Sequence, residues 1–187
     1  MIDCFGVPGA RTAGYAGRRR WAVRTRKGGT GRVFLSTFEK QLDAKRRIVV
    51  PMEFRAAVTG PFGGVFCFPS IEADCIEGGG KPLFDRYQAL IEELPFGDPL
   101  RLPLETAVYG GMNELAFDTA GRITLPETLC DMLGLTDWVA VVGLGDRFQI
   151  WDRDAFRAHR AEMLRVARSG LADLRRAQRP VAKGAAE

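Results

Sequence analysis

A ten-residue pattern occurs twice in this chain. The first copy, LDAKRRIVVP, spans residues 42–51, and the second, FDTAGRITLP, spans residues 117–126. Each copy runs an apolar residue, Asp, three further residues, Arg, Ile, two strand-forming residues and Pro. Two copies in matching register, each followed by a short helical segment, predict an internally duplicated fold.

The D-x-x-x-R segment of each copy has the composition of a tight turn between two strands. The carboxylates of Asp43 and Asp118 can accept hydrogen bonds from backbone N–H groups two residues further on, which fixes a turn. Gly121 supplies a position with positive φ. An Arg four residues after the Asp can pair with it or point outward. We therefore assign Asp43, Asp118 and Gly121 to shaping the turns.

The two copies differ at one position of the turn. The first copy has Arg46 where the second has Gly121. A non-glycine residue at positive φ costs on the order of 1 kcal/mol. The first turn is therefore either strained or shifted, and an additional phosphate contact by Arg46 would offset the strain.

Hydrophobic patterning predicts a mainly β protein with helices, of the α+β class. Its predicted strands are residues 34–43, 47–51, 63–69, 113–118, 122–126, 138–144 and 147–151, the last two forming a hairpin around Gly145 and Asp146. The predicted helices are residues 52–58, 83–94, one that begins near Pro103, 127–135, and a last one capped by Asp152 or Asp154. The glycine-rich segment at residues 77–82 is predicted to be a loop.

These elements divide the chain into five parts. We expect a first repeat at residues 33–82 and a helical connection at residues 83–111. A second repeat follows at residues 112–155, and a C-terminal helix with a frayed tail at residues 156–187. Residues 1–32 are rich in Gly and Arg, have no sustained periodicity, and are predicted to be disordered.

The net charge of +4 is unevenly distributed. Residues 1–32 hold eight Lys or Arg and one acidic residue, which leaves 19 basic and 22 acidic residues in the rest of the chain. The folded part is therefore mildly acidic. If it binds nucleic acid, it must use local basic clusters and not its overall charge.

Three interpretations of residues 1–32 stay open. The translation start could be assigned too far upstream, with Val33 as the first residue. The segment could be a tail without a dedicated role, or a basic arm that adds non-specific phosphate contacts. The RRRWAV sequence at residues 18–23 resembles a twin-arginine signal, but no apolar segment follows, which argues against export.

Catalytic and metal-binding patterns are absent from the sequence. The four Cys form no C-x-x-C pair, and three of them are expected to be buried as reduced thiols. His159, the single His, lies in an Arg-rich segment where a surface position is expected. There is no Ser/His/Asp set, no phosphate-binding loop and no apolar run of about 18 residues that could span a bilayer. We expect no cofactor, no metal and no small-molecule substrate.

The duplicated pattern resembles the two D-x-x-x-R repeats of the MraZ family, bacterial DNA-binding regulators of the division and cell-wall gene cluster. The resemblance continues through FCFPS at residues 66–70, YGGMNEL at 109–115 and VVGLGDRFQIWDRDAFRAH at 141–159. It covers about residues 33–176. It implies two swapped-hairpin elements of the AbrB type joined in one chain to form a compact β-barrel with helices attached.

The resemblance also implies a function. Such proteins assemble into ring-shaped homo-oligomers, bind short direct repeats in the promoter of their own operon and usually repress it, without a cofactor. A cytoplasmic, nucleoid-associated location follows from that role. The candidate DNA-binding residues are Lys40, Lys45, Arg46 and Arg47 around the first motif and Arg122 in the second. Such clusters suit phosphate contacts and the recognition of guanine by Arg.

Two alternatives belong to other functional classes. A non-catalytic oligomeric interaction module on the same barrel would show no promoter-specific binding and no effect of Arg47→Ala. An enzyme is disfavoured because the residue sets named above are absent from the sequence.

Overall fold

The computed structural model describes residues 33–58 and 63–177, so the predictions for residues 1–32 and for the end of the tail lie outside the described residues. The strands are β1 (Thr37–Gln41), β2 (Arg47–Val49), β3 (Gly64–Pro69), β4 (Ile76–Gly79), β5 (Asn113–Ala116), β6 (Arg122–Thr124), β7 (Trp138–Gly143) and β8 (Phe148–Asp152). The helices are α1 (Met52–Ala57), α2 (Lys81–Glu92), α3 (Arg101–Val108), α4 (Glu127–Met132) and α5 (Arg153–Ala177).

The two halves of the chain interleave around an approximate two-fold axis. A six-stranded antiparallel sheet has the order β1-β7-β8-β4-β3-β5, and β2 pairs with β6 in a separate two-stranded ribbon. Exchanging each strand for its counterpart in the other half leaves both arrangements unchanged. The axis passes through the central pairs Ile48↔Ile123 and Glu77↔Gln149. Each half therefore completes its sheet only with strands of the other half.

The α+β class is confirmed, but no closed barrel is observed among the described strands. Within the part of the chain that the structure describes, β1 pairs only with β7, and β5 pairs only with β3. β1 and β5 lie at opposite ends of the strand order and are not paired with each other among the described strands, so the six-stranded sheet stays open. The ribbon of β2 and β6 forms a second sheet instead of closing the first.

The predicted loop at residues 77–82 is wrong. This segment contains the end of β4, an interior strand of the sheet, and the start of α2. A Cβ at Gly78 would lie 2.5 Å from an atom of the Phe148 ring, and one at Gly79 would lie 2.9 Å from the Leu83 side chain. Gly residues that suggest a flexible connection are therefore required here for close packing.

The main core lies between one face of the large sheet and the ribbon with α1 and α4. Phe54 of α1 is fully buried and its ring centroid lies 5.2 Å from that of Phe34 and 5.7 Å from that of Phe148. Ile48 and Ile123 enter the same core from the ribbon. Burying a Phe or Ile side chain of this kind stabilises the fold by about 1.5–3 kcal/mol.

Helices cover the opposite face of the large sheet. Leu83, Tyr87 and Ile91 of α2 pack with Phe68 of β3, whereas Leu90 of the same helix is exposed. α3 begins at Arg101, two residues before the predicted start at Pro103. The elements bury three free thiols, as expected, at Cys67, Cys75 and Cys130.

The last helix, α5, is capped by Asp152, whose Oδ1 accepts the backbone N–H groups of Asp154 and Ala155 at 3.0 Å. Phe156 is buried near Trp151. His159 differs from its predicted surface position, because it is half-buried and its ring stacks on that of Trp151 at 4.4 Å. No helix in the described ranges has the length and apolar character needed to cross a membrane.

Candidate nucleic-acid interface

The first D-x-x-x-R segment forms a turn that Asp43 organises through both carboxylate oxygens. Asp43 Oδ1 accepts the backbone N–H of Lys45 at 2.8 Å and that of Arg47 at 2.9 Å. Asp43 Oδ2 lies 2.7 Å from both Nε and Nη2 of Arg47. The Asp thus fixes the backbone of the turn and the direction of the Arg side chain together.

The second segment repeats this geometry. Asp118 Oδ1 accepts the backbone N–H groups of Ala120 and Arg122, each at 2.9 Å. Its Oδ2 accepts Nε of Arg122 at 2.7 Å. Gly121 N–H donates to the carbonyl of Asp118 at 2.9 Å. The two turns are therefore built by the same set of hydrogen bonds.

Arg46 adopts the conformation of the glycine that it replaces. Its φ is +57°, against +73° at Gly121, and its N–H donates to the carbonyl of Asp43 at 2.8 Å. The turn has not shifted, so the first copy contains the strain of a left-handed non-glycine residue, on the order of 1 kcal/mol.

The two turns are joined to each other by backbone hydrogen bonds. The N–H of Val50 donates to the carbonyl of Gly121 at 3.1 Å, and the N–H of Leu125 donates to the carbonyl of Arg46 at 2.8 Å. Since Val50 precedes α1 and Leu125 precedes α4, each helix is held against the turn of the other half.

The ribbon of β2 and β6 presents both motif arginines on one exposed face. Arg47 is paired with Thr124, and Val49 with Arg122, while Ile48 and Ile123 point to the core. Arg47 and Arg122 are diagonal neighbours, with Cα atoms about 7–8 Å apart as expected for such pairs. They line one groove of about 760 Å³ together with Lys40.

The other predicted cations do not line this groove. Lys45 is exposed in the turn. The Arg46 side chain is 41% exposed and lies 3.6 Å from the carboxylate of Glu127 in α4. The structure thus brings Lys40, Arg47 and Arg122 together and places Lys45 and Arg46 at the tip of the first turn.

Both motif aspartates are charged at neutral pH. Hydrogen bonds from the side chain and then from the backbone of Arg47 lower the pKa of Asp43 to about 2. The backbone N–H of Arg122 and then its side chain lower the pKa of Asp118. Each Asp–Arg unit is therefore close to neutral, and the net positive charge of this face depends on the cations outside the two units.

One cation beside the second turn lies outside the two motifs. Arg55 of α1 donates from Nε to the carbonyl of Val50 at 3.2 Å, and its guanidinium lies directly over Gly121. The sequence signal that could have identified Arg55 is its position relative to the motif. Residue 55 lies eight positions after Arg47, whereas the second copy has Cys130 at the equivalent position after Arg122. No group of three or more potential metal ligands is found in the described part of the chain.

Comparison with known proteins identifies close relatives. A family model described as "MraZ protein, putative antitoxin-like" matches residues 108–175. A protein of Phenylobacterium zucineum named transcriptional regulator MraZ is 76% identical over 147 residues, which cover 79% of this chain and 92% of the relative. Proteins with the same name are 74% identical in Caulobacter vibrioides, over 79% of this chain and 94% of the relative, and 38% identical in Xanthobacter autotrophicus, over 69% and 83%.

Proposed function

The chain belongs to the MraZ family of transcriptional regulators, and on this premise we propose that it is a sequence-specific DNA-binding repressor of its own division and cell-wall gene cluster. Membership of this family makes the chain a regulator and not an enzyme. We propose that it binds short direct repeats in its promoter as a ring-shaped homo-oligomer, and that it acts in the cytoplasm at the nucleoid.

The observation that carries the DNA-binding proposal is the shared orientation of Arg47 and Arg122. Each guanidinium is held by an Asp through Nε, so its direction is set before DNA arrives. A guanidinium has five N–H donors. The donors that do not face the Asp remain available for a base edge or a phosphate. Holding the Arg in place reduces the side-chain entropy that is lost on binding.

The roles of the candidate residues follow from their positions. We assign Arg47 and Arg122 to base recognition from the ribbon face, where bidentate Arg–guanine contacts give specificity. Lys40, Lys45 and Arg46 are assigned to phosphate contacts around the first turn. Asp43, Asp118 and Gly121 shape the turns and do not contact DNA.

In this proposal residues 33–82 and 112–155 are the two repeats, joined by residues 83–111 and followed by residues 156–187. A basic arm at residues 1–32 would add non-specific phosphate contacts.

The exposed apolar stripe of α5 supports the proposed oligomer. Four large side chains along the helix, Met163, Leu164, Leu171 and Leu174, are 44–60% exposed. Apolar rows of this kind on a charged helix are typical of contact surfaces. A second copy that covers the stripe would bring several DNA-binding faces together. Modest contacts to successive repeats then add through effective concentration.

A binding assay tests the regulatory proposal. The affinity of the full chain for a duplex carrying its own promoter is compared with that for a scrambled duplex of equal composition at fixed salt. Arg47→Ala and Arg122→Ala should each weaken promoter binding about 5- to 150-fold, the equivalent of roughly 1–3 kcal/mol. Arg165→Ala is the matched control, since Arg165 is also paired with a carboxylate but lies on α5.

The outcomes separate the functional classes. Equal affinity for both duplexes would leave a non-specific binder. Absence of binding in a chain that still oligomerises would favour the interaction module. Light scattering tests the oligomer. Leu171→Glu in the apolar stripe should reduce the particle mass, and Ser169→Glu on the opposite side of the same helix should not. Equal effects of the two variants would contradict this role of the stripe.

A further inference from the structure

The two turns each have one arginine in the space between the turn and the facing helix, but the arginines come from different elements. At the second turn the guanidinium belongs to Arg55 of α1, which covers Gly121. A Cβ at position 121 would lie 2.5 Å from Arg55 Cζ and 2.7 Å from Nε. Gly121 is buried as a result.

At the first turn the positions are exchanged. Arg46 occupies the position equivalent to Gly121, and Cys130 of α4 occupies the position equivalent to Arg55. Cys130 is small and 4% exposed. Burial raises the pKa of its thiol, and the positive charge of Arg46 opposes that rise, which indicates that the guanidinium lies near it. The large residue is thus on the turn in one half and on the helix in the other.

The symmetry of the fold explains why this exchange is possible. Leu125 N–H holds the start of α4 to the first turn, and Val50 N–H holds the start of α1 to the second. A turn residue and the facing helix residue therefore share one volume in each half. Two large side chains would collide there, and one large residue with one small residue fits from either side.

Both guanidinium groups are weakly neutralised by the protein. Within the described residues Arg46 is paired only with Glu127, whose side chain is 66% exposed, at 3.6 Å, and such surface pairs are weak. Arg46 Nε is buried without a hydrogen-bond partner in the described residues. Arg55 donates to the backbone carbonyl of Val50, and no carboxylate pairs with it within residues 33–58 and 63–177. In contrast, Arg47 and Arg122 are each compensated by an Asp.

Building on the proposed DNA binding, we propose that Arg55 is the DNA phosphate contact of the second turn and that Arg46 is its counterpart at the first turn. Each turn requires one guanidinium group, and either the turn itself or the facing helix can supply it. Moving the arginine of the first turn from the turn to the helix, as in Arg46→Gly with Cys130→Arg, therefore preserves phosphate binding.

The test measures the salt dependence of binding by the full chain to its promoter duplex and to a scrambled duplex. Removing one phosphate contact lowers the slope of log K against log salt by about 0.9 and weakens binding to both duplexes by the same factor. We expect this loss for Arg55→Gln and for Arg46→Gly. We expect the parental slope for Arg55→Lys, for Arg46→Gly with Cys130→Arg, and for the control Arg165→Gln.

Thermal unfolding of every variant accompanies the slopes, because a purely structural role would change the melting temperature and leave the slope unchanged. An unchanged slope in Arg55→Gln overturns the proposal. So does a double variant that melts like the parent but keeps the reduced slope of Arg46→Gly. If the double variant does not fold, Arg55→Gln and Arg55→Lys decide the question by themselves.

Failure of the proposed function gives a different result. If the parent binds both duplexes equally, sequence-specific regulation is refuted while the salt slopes still decide the roles of Arg46 and Arg55. If the parent binds neither duplex, both proposals are overturned.

Discussion

The guanidinium of Arg55 lies over Gly121, and this contact gives a stability prediction with an internal control. Gly121→Ala places a side chain at φ +73°, which costs about 1–2 kcal/mol in the left-handed region. The new Cβ would also lie 2.5 Å from Arg55 Cζ. Arg55 must then move and give up its hydrogen bond to the carbonyl of Val50, at a cost of about 0.5–1.5 kcal/mol for a half-buried group. The two costs together come to about 1.5–3.5 kcal/mol.

Gly134→Ala isolates the backbone contribution. Gly134 has φ +58°, and a Cβ there would meet no heavy atom within 4 Å. Its substitution should therefore cost only about 1–2 kcal/mol. In chemical unfolding experiments the cost of Gly121→Ala should exceed that of Gly134→Ala by about 1 kcal/mol, and the two melting temperatures should differ by about 2–4 °C.

A double-mutant cycle identifies the source of the difference. In an Arg55→Ala background, Gly121→Ala should cost no more than Gly134→Ala, because no guanidinium covers the turn. Equal costs of the two glycine substitutions in the parent, or an unchanged difference in the Arg55→Ala background, would refute the steric role of Arg55. The proposed exchange with Arg46 would then lose its structural basis.

Two further predictions concern pH. The lowered pKa of Asp43, about 2, means that its bonds to Arg47 stabilise the fold fully above the unfolded value of about 4 and are lost as the pH falls toward 2. Urea unfolding should show a shallower loss of stability over that range in Asp43→Asn than in the parent, and parallel curves would contradict the linkage. At Glu77 burial raises the pKa, opposed by the hydrogen bond from Tyr87 and the charges of Arg147 and Arg86, with Glu72 adding to the rise. The contribution of Glu77 is present below the unfolded pKa and is lost as the pH rises through the folded pKa. Glu77→Gln should therefore gain stability relative to the parent with increasing pH. A steady loss instead would show that the charged Glu77 acts mainly as the partner of Arg147.

The duplicated motif carried most of what the sequence revealed about the fold. Turn chemistry is local, so an Asp and a following Arg specify nearly the same hydrogen bonds wherever they occur. The pairing of the two halves is not local. Nothing in residues 42–51 shows that β1 and β2 pair with β7 and β6, and not with each other. The same limit explains why residues 77–82 were wrongly predicted to be a loop. Gly78 must be small because it packs against Phe148, which is distant in sequence, and Gly79 because it packs against Leu83 in the following helix.

The candidate site, like the fold, could be predicted from the sequence only where local patterns define it. Lys40, Arg47 and Arg122 could be selected by composition and motif, but not their meeting in one groove. Arg55 could not be selected in this way, because its contact is with Gly121 in the turn of the other half. The sequence shows Arg46 in place of the motif Gly, whereas Cys130 at the facing position carries no charge and belongs to no motif, so its importance depends on the pairing of the two halves.

The unequal basic residues of the two turns bear on the kind of DNA site that one chain recognises. A surface with exact two-fold symmetry suits a palindromic site, because protein symmetry and site symmetry match. Here Lys40, Lys45 and Arg46 correspond to Leu115, Ala120 and Gly121 in the second half. Arg55 restores one positive charge to the second turn, which leaves the first turn with two more cations. The ribbon therefore has a basic end and a less basic end. A ring of such chains, each docked with the same end forward, would match short direct repeats better than palindromes.

Lys40→Leu with Lys45→Ala removes this polarity and should reduce the preference for a direct repeat over an inverted repeat of the same sequence in a competition assay. An unchanged preference would mean that base contacts, and not the charge difference between the turns, set the orientation.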